Sequence, residues 1–420
     1  MAAGSWWRHA IVSSAKGRAW LSVSMKCSGM QERLDSIYIT YWSLLDPLCQ
    51  SQSLPYLFAL ARKGYRLGLI TFEQPRWRMS PEAQQAKQRE LRAQGIDWHP
   101  LSYHKHPSVL STLFDIGVGS LAAARLARRS GATLIHGRAS VSCGIAAVAA
   151  KLSGARLFAD SDGPLSQEYV DAGVWKEGSI GHRLTAWGER KSLELADVVA
   201  VLTEHRRGEV ASWLSTKPVH ILPCAVDLER FRPLPELRES LRKKLGLRGN
   251  VFIYVGKAGG WYDTEGMIEF LSAARSFVEP MTLLVLTRDD ASRFSALSAQ
   301  AGIDLVTRSA EPSEVPGYLS AADVGLCFRH RFPSQLSCSP IKSAEYLACG
   351  LPVVSTSGCG DYDQLIDAER VGVVVHDSDR SAYVAAARQL TRLLDEPGLT
   401  ERCRSVAERF LGLDEVVAPH

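Results

Sequence analysis

The sequence lacks three features that would each indicate a particular class of protein. None of its nine cysteines forms a C-x-x-C pair or has a histidine at the spacing of a zinc ligand. No apolar run reaches the roughly 18–20 residues that a membrane-spanning helix needs. No segment recurs at the period of a solenoid protein. These absences favour reduced thiols in a cytoplasmic protein over a disulfide framework, a zinc domain or a membrane-embedded protein.

Acidic residues are missing from the first 30 residues, which contain four basic ones. The rest of the chain contains 45 basic and 45 acidic residues, so it offers no basic surface of the kind that binds nucleic acid. The segment 1–30 also lacks the continuous apolar stretch of a secretory signal. We expect a disordered basic tail or a mis-assigned start, although the composition also resembles a transit peptide.

Short apolar segments alternate with amphipathic segments along most of the chain, a pattern that predicts parallel βαβ units. A chain of 420 residues is long enough for two or three domains. The first half of the chain predicts strands at 36–42, 65–73, 133–137 and 155–160. The second half predicts strands at 250–257, 281–289 and 351–358, with a helix over 342–350. The fold class is therefore α/β, with the same Rossmann-like architecture used twice.

The segment 222–240 is rich in proline and charge, as a linker between domains should be. We predict an N-terminal domain over 31–225 and a C-terminal domain over 226–400. The remaining segment, 401–420, is expected to return toward the N-terminal domain. Ligands of open parallel sheets bind at the carboxyl ends of the strands, so two such domains facing each other would form a binding cleft.

The segment 338–361, CSPIKSAEYLACGLPVVSTSGCGD, carries the richest set of candidate site residues. Ser339 is predicted to cap a helix whose N-terminus would bind an anion such as a diphosphate. Lys342 adds a positive charge, and the Glu345 carboxylate could accept both hydroxyls of a ribose. Gly358 and Gly360 would permit close approach of the backbone to a ligand. The alternative is an ordinary capped helix with Glu345 in solvent, and neither interpretation places Lys342 or Glu345 in the apolar core.

Further candidates follow other predicted strands. Gly256 and Lys257 lie in a glycine-rich turn that is not a P-loop, and Lys257 could reach a phosphate there. In the first half, His136 and Arg138 end one strand. Asp160 ends the next strand, and Glu168 follows soon after it. Several polar groups that converge on one cleft indicate a site more strongly than any one of them alone.

Two patterns could bind a metal but match no established spacing. Cys327, Cys338, Cys349 and Cys359 recur about every ten residues, which fits no zinc motif. Asp-x-Asp pairs at 160/162, 361/363 and 377/379 could bind a metal that carries a nucleotide, although such pairs are frequent by chance. We therefore expect no metal and no other cofactor.

At these residues the sequence resembles glycosyltransferase family 4, retaining enzymes of the GT-B fold, over about residues 35–420. The resemblance is carried by ADVVAVLTE with ILPCAVDLERFRP, by SPIKSAEYLACGLPVVSTSGCGDYDQLI, and by VGVVV. The middle run is similar to an S-P-x-K-x-x-E-Y variant of the family's donor motif. HGRAS and DSDGPLSQEYVDAGVW resemble the acceptor half of a subgroup that acts in polysaccharide or lipopolysaccharide assembly.

The resemblance implies roles for individual residues and also shows departures. Glu345 matches the second glutamate of the family's Glu-x7-Glu pair, which binds the nucleotide ribose, whereas the first falls on Ser337. Lys257 stands where an arginine commonly contacts the diphosphate. The lysine that often follows is Glu265 here, so one phosphate cation is missing. Backbone N–H groups or Lys342 would have to replace the first glutamate.

The implied function is transfer of a sugar from a nucleotide-sugar donor to a glycan or lipid-linked acceptor, in the cytoplasm. Peripheral contact with the inner face of a membrane is compatible with a lipid-linked acceptor. Lys342, Lys257 and the helix N-terminus would stabilise the departing diphosphate, and His136, Arg138 and Asp160 would orient a sugar. Two alternatives remain. One is a sugar-nucleotide epimerase of the same fold, and the other is a non-catalytic scaffold, which the absence of the first glutamate and of the lysine would allow.

Overall fold

A computed structural model describes residues 33–104, 108–214 and 217–417. The predicted basic tail, 1–30, lies outside the described residues. The chain divides into two compact units, Met1–Pro223 with Val417–His420 and Cys224–Val416. The predicted 401–420 segment divides between them, since helix Leu399–Phe410 belongs to the second unit and Val417 to the first.

The first unit contains a seven-stranded parallel sheet in the order β3-β2-β1-β4-β5-β6-β7. The chain order reverses between β1 and β4, which is the switch point of a doubly wound fold. Its strands are β1 Ser36–Thr40, β2 Leu67–Glu73, β3 Ile96–Ser102, β4 Leu134–Arg138, β5 Arg156–Ser161, β6 Val198–Val201 and β7 Val219–Ile221. Its helices are α1 Leu54–Arg62, α2 Pro81–Ala93, α3 Ser108–Ser130, α4 Ser140–Ser153, α5 Leu165–Asp171, α6 Ile180–Leu195 and α7 Glu204–Trp213.

The core of the first unit explains why a helix rich in small residues follows β4. Ala146, Ala149 and Ala150 of α4 are buried against the sheet. A Cβ atom at Gly137 would lie 2.5 Å from the carbonyl oxygen of Ser142, so only glycine permits this approach of the helix to the strand. The predicted close packing of helix 142–154 on a sheet is confirmed.

The second unit contains a six-stranded parallel sheet in the order β10-β9-β8-β11-β12-β13. Here the order reverses between β8 and β11. Its strands are β8 Asn250–Val255, β9 Met281–Leu286, β10 Asp304–Arg308, β11 Val324–Cys327, β12 Val353–Thr356 and β13 Gly372–Val375. Its helices are α8 Pro235–Leu245, α9 Thr264–Val278, α10 Ser292–Ala301, α11 Val315–Ser320, α12 Ile341–Ala348, α13 Tyr362–Glu369, α14 Arg380–Leu394, α15 Leu399–Phe410 and α16 Leu413–Val416. Short non-α turns cover Cys49–Ser53, Pro75–Trp77 and Pro333–Ser337.

The boundary between the two units, from Pro223 to Cys224, lies within the segment 222–240 that is predicted to be a linker, and a helix begins in the same segment. Helix α8 begins at Pro235 and ends at Leu245, and Gly246 follows it in the left-handed conformation typical of a helix end. Phe231 is buried, and the Val226 backbone pairs with that of Gly412. Pro235 and the charged residues that follow it are the N-terminal proline and the solvent face of an amphipathic helix.

The expectation that no helix is long and apolar enough to span a membrane also needs correction. Within the described ranges one helical stretch, Leu110–Ser130, passes that test by length and composition. Core helices of soluble proteins have the same length and composition. Ala123, Ala124 and Ala127 of this helix are buried in the first unit's core. The sequence did not indicate this helix as a membrane span, because Asp115 and three arginines interrupt its apolar residues.

Candidate functional site

Lys342 stands at the start of α12 in the second unit, but the helix begins differently from the prediction. Pro340 occupies the N-cap position, and no side chain caps the helix. The Ser339 hydroxyl instead accepts a hydrogen bond from the backbone N–H of Cys224, at 3.2 Å. The predicted serine cap is therefore wrong, because the backbone around Ser339 is extended and turns the hydroxyl toward another segment.

The ammonium group of Lys342 is held between aromatic rings. Its Nζ lies 4.3 Å from the ring centroid of Tyr254 and 4.2 Å from that of Tyr262. The side chain is buried, and Nζ has no hydrogen-bond partner. Contact with two aromatic faces offsets part of the cost of burying the charge, but three N–H donors remain unused. Such a buried, unpaired cation is suited to an anionic ligand.

The glycine-rich turn after β8 lies against Lys342. Gly256 has φ of +148°, and a Cβ atom there would lie 3.0 Å from the Lys342 Nζ. The Tyr254 hydroxyl donates to the backbone oxygen of Lys257 at 2.8 Å, which fixes the turn. The Lys257 side chain is exposed. The structure thus brings together Gly256, Lys257 and Lys342, three of the residues predicted for the donor site.

Glu345 lies one turn beyond Lys342 and is also buried, which corrects the expectation that neither residue lies in the core. Burial raises the pKa of Glu345 from 4.5 to about 7, and the charges of Arg230 and Lys342 offset only part of this. The carboxyl group therefore changes its protonation near neutral pH. No salt bridge joins it to Lys342 within the described part of the chain.

The backbone N–H groups of Gly358 and Gly360, which follow β12, donate hydrogen bonds to other groups of the protein. The Gly358 N–H donates to Asp363 Oδ2 at 2.7 Å, and the Gly360 N–H donates to the Gln335 backbone oxygen at 3.0 Å. Gly358 has φ of +80° and open space where a Cβ atom would lie, so its bare face permits close approach. Ser337 is buried in the Pro333–Ser337 turn.

Glu265 stands where the family often has a lysine, and its carboxylate pairs with an arginine. Its Oε1 accepts a hydrogen bond from Arg293 Nε at 2.8 Å, and both side chains are exposed. The acidic residue therefore forms a surface ion pair and supplies no positive charge to the donor site.

Three of the four clustered cysteines come together near the same end of the sheet. Cys359 shares hydrogen bonds with Cys327 and with Cys338, and the bond from Cys359 lowers the pKa of Cys327 to about 6. Cys349 is separate and lies near Glu345. Over the described ranges no group of three or more His, Cys, Asp or Glu side chains could hold a metal ion.

The polar residues at the ends of β4 and β5 form one buried network in the first unit. Arg138 and Asp160 are partners across the two strands, and Arg138 Nη1 donates to Asp160 Oδ2 at 2.6 Å. His136 Nε2 lies 3.3 Å from the same oxygen. Arg138 Nη2 donates to Gln52 Oε1 at 2.9 Å. The structure thus brings together the three predicted residues, all almost fully buried.

Aromatic rings surround His136. The imidazole stacks on Phe158, its partner on β5, with 4.2 Å between ring centroids, and contacts Tyr38 and Tyr56 edge-on. Burial lowers the pKa of His136, so the ring is neutral near pH 7. Burial would raise the pKa of Asp160, but Arg138 and then His136 outweigh it and hold the pKa below its ordinary value.

Glu168 and Asp162 lie beyond this network. Glu168 is half-buried on α5, and its Oε1 occupies the space that a Cβ atom at Gly163 would need. Burial raises the pKa of Asp162 to about 6.

A second polar cluster, which the sequence did not predict, lies at the ends of β1 and β3. Asp115 is buried and accepts hydrogen bonds from the Tyr41 hydroxyl at 2.7 Å and from the His104 backbone N–H at 3.0 Å. Its Oδ1 lies 2.6 Å from His104 Nδ1. The signal in the sequence was a single acidic residue in a mostly apolar helix, eleven residues after His104.

Two glycosyltransferase family models match the chain. The model for Glycosyltransferase Family 4 matches residues 57–230, and that for Glycosyl transferases group 1 matches residues 249–393. Together they match about three quarters of the chain.

Curated proteins with related sequences include glycosyltransferases. Lipopolysaccharide glucosyltransferase WaaG of Escherichia coli K12 is 27% identical over 176 residues, which are 40% of this chain and 46% of that protein. The alignment thus spans about half the length of this curated relative.

Two solved structures share the fold. Sucrose-phosphate synthase from Thermosynechococcus elongatus has a TM-score of 0.65 at 18% identity, covering 91% of this chain and 96% of that one. Anabaena HepE in complex with UDP has a TM-score of 0.64 at 12% identity, covering 91% of this chain and 97% of that one. The two family models show that the chain belongs to the family 4 glycosyltransferases, and the parallel sheets and the two solved structures show the GT-B fold.

Proposed function

We propose that the chain transfers a sugar from a nucleotide-sugar donor to a glycan or lipid-linked acceptor, with retention of the anomeric configuration. The observation that carries the proposal is the buried, unpartnered ammonium of Lys342 at the carboxyl end of the second unit's sheet. Within the family, the run SPIKSAEY supports the proposal that the chain belongs to the subgroup with an S-P-x-K-x-x-E-Y donor motif.

The proposed reaction begins with cleavage of the bond between the sugar and the diphosphate. As this bond loosens, positive charge develops at the sugar and negative charge on the diphosphate. Lys342 and Lys257 stabilise the diphosphate, and because the buried ammonium of Lys342 is already in place it acts without reorganisation cost. The acceptor hydroxyl then attacks from the face that the diphosphate leaves, and a diphosphate oxygen takes the hydroxyl proton.

Glu345 is assigned to the ribose of the donor, and Gly256, Gly358 and Gly360 to close backbone contact with it. In its ionised form Glu345 accepts hydrogen bonds from the ribose hydroxyls, and charge-assisted bonds of this kind are stronger than neutral ones. Ser337 and Ser339, in the segment that leads into α12, are assigned to binding the same donor. His136, Arg138, Asp160 and Glu168 are assigned to orienting a sugar at the ends of β4 and β5. Since lysines hold the phosphates, the reaction requires no metal and no other cofactor.

A lipid-linked acceptor is supported by the outer face of α3. Five large apolar side chains on this face are exposed and recur at helical spacing: Leu110, Leu113, Phe114, Val118 and Leu121. Monomeric soluble proteins rarely expose a continuous apolar surface of this kind without an interaction partner.

Basic residues continue the same helix toward its C-terminus. Arg125, Arg128 and Arg129 are exposed, and the only acidic residue of α3, Asp115, is buried. Apolar side chains next to arginines are typical of a surface that lies on anionic lipids. We therefore propose peripheral contact of α3 with an anionic membrane, with polysaccharide or lipopolysaccharide assembly as the setting of the reaction.

The experiment that tests the proposed function is incubation with UDP-, GDP- and ADP-sugars, with and without lipid-extract acceptors. A glycosyltransferase releases nucleoside diphosphate in an acceptor-dependent reaction, and NMR of the product gives the anomeric configuration. Conversion of one nucleotide sugar into another without an acceptor would indicate an epimerase. No change in any nucleotide sugar would indicate a scaffold, and inversion at the anomeric carbon would contradict the retaining mechanism.

A further inference from the structure

Arg329 stands at the switch point of the second unit's sheet. The chain order reverses between β8 and β11, and ligands of doubly wound sheets bind where such a reversal occurs. Lys257 follows β8 by two residues, and Arg329 follows β11 by two residues. Topology alone therefore places these two cations on either side of the switch point, although no sequence motif drew attention to Arg329.

The protein holds Arg329 in a fixed position. Its backbone N–H donates to Thr356 Oγ1 at 2.9 Å, and the Thr356 hydroxyl donates back to the Arg329 carbonyl at 2.8 Å. Its side-chain Nε donates to Gln335 Oε1. The guanidinium carbon lies 5.0 Å from the ring centroid of Tyr262. A planar cation fixed through Nε and stacked on a ring is oriented to offer its remaining N–H groups to a ligand.

Tyr262 links Arg329 to Lys342. Both cations lie within about 5 Å of its ring centroid. The Lys342 ammonium, followed by the Arg329 guanidinium, outweighs burial and holds the pKa of Tyr262 below its ordinary value, and Lys257 contributes in the same direction. Three positive charges thus surround one tyrosine.

Carboxylates compensate this positive charge only weakly, because burial opposes the ionisation of Glu345, whose carboxyl group interacts with the charge of Lys342. Among the described residues, neither Arg329, Lys342 nor Lys257 forms an ion pair with an Asp or Glu side chain. The acidic groups near Arg329 are three thiols and the phenol of Tyr262: Cys327, Cys338, Cys359 and Tyr262. A cluster of this kind favours a ligand with more than one negative charge.

We propose that Arg329 is the second phosphate-binding cation of the donor site and makes that site selective for a nucleoside diphosphate over a nucleoside monophosphate. The inference rests on the proposed function. It supplies the positive charge that is missing at Glu265, since Arg329 reaches the same end of the sheet from β11 instead of from α9. Lys342 and Arg329 would each contact the diphosphate, whereas a single phosphate can satisfy only one of them fully.

Arg331 provides a matched control, two residues further along the chain. Its guanidinium donates to Ser357 Oγ at 2.9 Å, to Ser378 Oγ at 2.6 Å and to the Val375 backbone oxygen at 2.8 Å. Its charge is therefore used within the protein. Arg331→Gln removes the same charge from the same segment without removing a donor from the proposed site.

The test is calorimetric titration of the full chain in EDTA with UDP, GDP and ADP and with the matching monophosphates. The nucleoside diphosphate that binds wild type best should bind Arg329→Gln roughly 10–150-fold more weakly, as expected for loss of a charge-assisted hydrogen bond. The affinity of Arg329→Gln for the monophosphate should differ from that of wild type by less than about threefold. The affinities of Arg331→Gln for both ligands should also lie within about threefold of wild type. Arg329→Lys keeps the positive charge and serves as a second variant in case Arg329→Gln fails to fold. It should bind the diphosphate more tightly than Arg329→Gln.

The outcomes separate this inference from the proposed function. If Arg329→Gln and Arg329→Lys both bind a nucleoside diphosphate as tightly as wild type does, Arg329 is not a phosphate-binding residue, although the proposed function stands. Equal weakening for diphosphate and monophosphate also overturns the proposed selectivity. If wild type binds no nucleoside diphosphate, the proposed function itself fails and this inference with it.

Discussion

Lys342 and Glu345 lie three residues apart on one helix, and both are buried without forming an ion pair with each other. Burying two opposite charges on adjacent turns without pairing them costs stability, because each loses its hydration. Proteins often retain such a cost where a ligand completes the interactions. The two residues therefore provide separate tests of the donor site.

Lys342→Met should raise the stability of the unliganded protein. Methionine keeps a similar length and contact with the rings of Tyr254 and Tyr262 but removes an ammonium group that has no hydrogen-bond partner. We expect the melting temperature to increase by a few degrees, measured by calorimetry without nucleotide. Lys257→Met, which removes an exposed lysine from the neighbouring turn, is the control and should leave the melting temperature nearly unchanged. A clear drop for Lys342→Met would show that the aromatic contacts fully compensate the charge.

Glu345→Gln should stabilise the protein in a pH-dependent manner. The pKa of Glu345 is raised to about 7 in the folded state from an ordinary 4.5. Below pH 4.5 the Glu345 carboxyl is protonated in both the folded and the unfolded state. Between pH 4.5 and about 7 it stays protonated only in the folded state. Wild-type stability therefore falls as pH rises through this window, by on the order of 3 kcal/mol in total. Urea unfolding at pH 5 and pH 8 should show a larger advantage of Glu345→Gln at pH 8. An equal advantage at both values would exclude the raised pKa.

The same carboxyl group should make nucleotide binding depend on pH. Binding of ribose hydroxyls requires the ionised form, so nucleoside diphosphate affinity for wild type should increase between pH 6 and pH 8. Glu345→Gln should bind roughly 10–150-fold more weakly than wild type at pH 8 and should show a smaller increase with pH, which then comes from ionisation of the terminal phosphate alone. Titration calorimetry at both pH values measures it, and an identical pH profile for the two proteins would remove Glu345 from the ribose site.

Arg138→Gln should destabilise the first unit. The substitution leaves Asp160 buried without its strongest charge partner, and breaking a buried pair in this way typically costs about 3–5 kcal/mol. Adding Asp160→Asn should recover part of the loss, because the uncompensated charge is then removed. The measurement is urea unfolding of the single and double variants. Additive losses in the double variant would show that the two side chains act independently.

The exposed face of α3 predicts binding to anionic vesicles. Replacing Leu113 and Phe114 with glutamine should weaken sedimentation with vesicles that contain phosphatidylglycerol, because both side chains are more than half exposed and apolar. Leu237→Gln, at an exposed leucine of the second unit, should have no effect. If wild type does not bind such vesicles, or if the variant binds as well as wild type, α3 is not a membrane-contacting surface.

The sequence predicted the fold well because strand and helix patterns repeat locally. Predicted segments such as 250–257 and 281–289 match β8 and β9 to within a few residues, since their apolar runs are buried on both faces of the sheet. The spacing of Lys342 and Glu345 also placed both residues on one helix. The amphipathic helix α8 was missed, because its starting proline and its charged face resemble a linker.

Contacts between distant segments could not be predicted. The Ser339 hydroxyl bonds to Cys224, more than a hundred residues earlier, so a local capping rule fails there. The burial of Lys342 depends on Tyr254 and Tyr262, which arrive from another strand and its following turn. Arg329 belongs to no motif, and only the pairing of β8 with β11 shows that it stands opposite Lys257.

The central claim is that Lys342 stabilises the diphosphate as it leaves the sugar, without a metal. The most direct test is the steady-state turnover of wild type and Lys342→Met in EDTA, with the donor that the nucleotide-sugar panel identifies. Wild type should keep its activity, and kcat of the variant should fall roughly 10²–10³-fold, as for the loss of one preorganised donor in an oxyanion site. Wild-type turnover that disappears in EDTA, or a variant that turns over at the wild-type rate, would contradict the account.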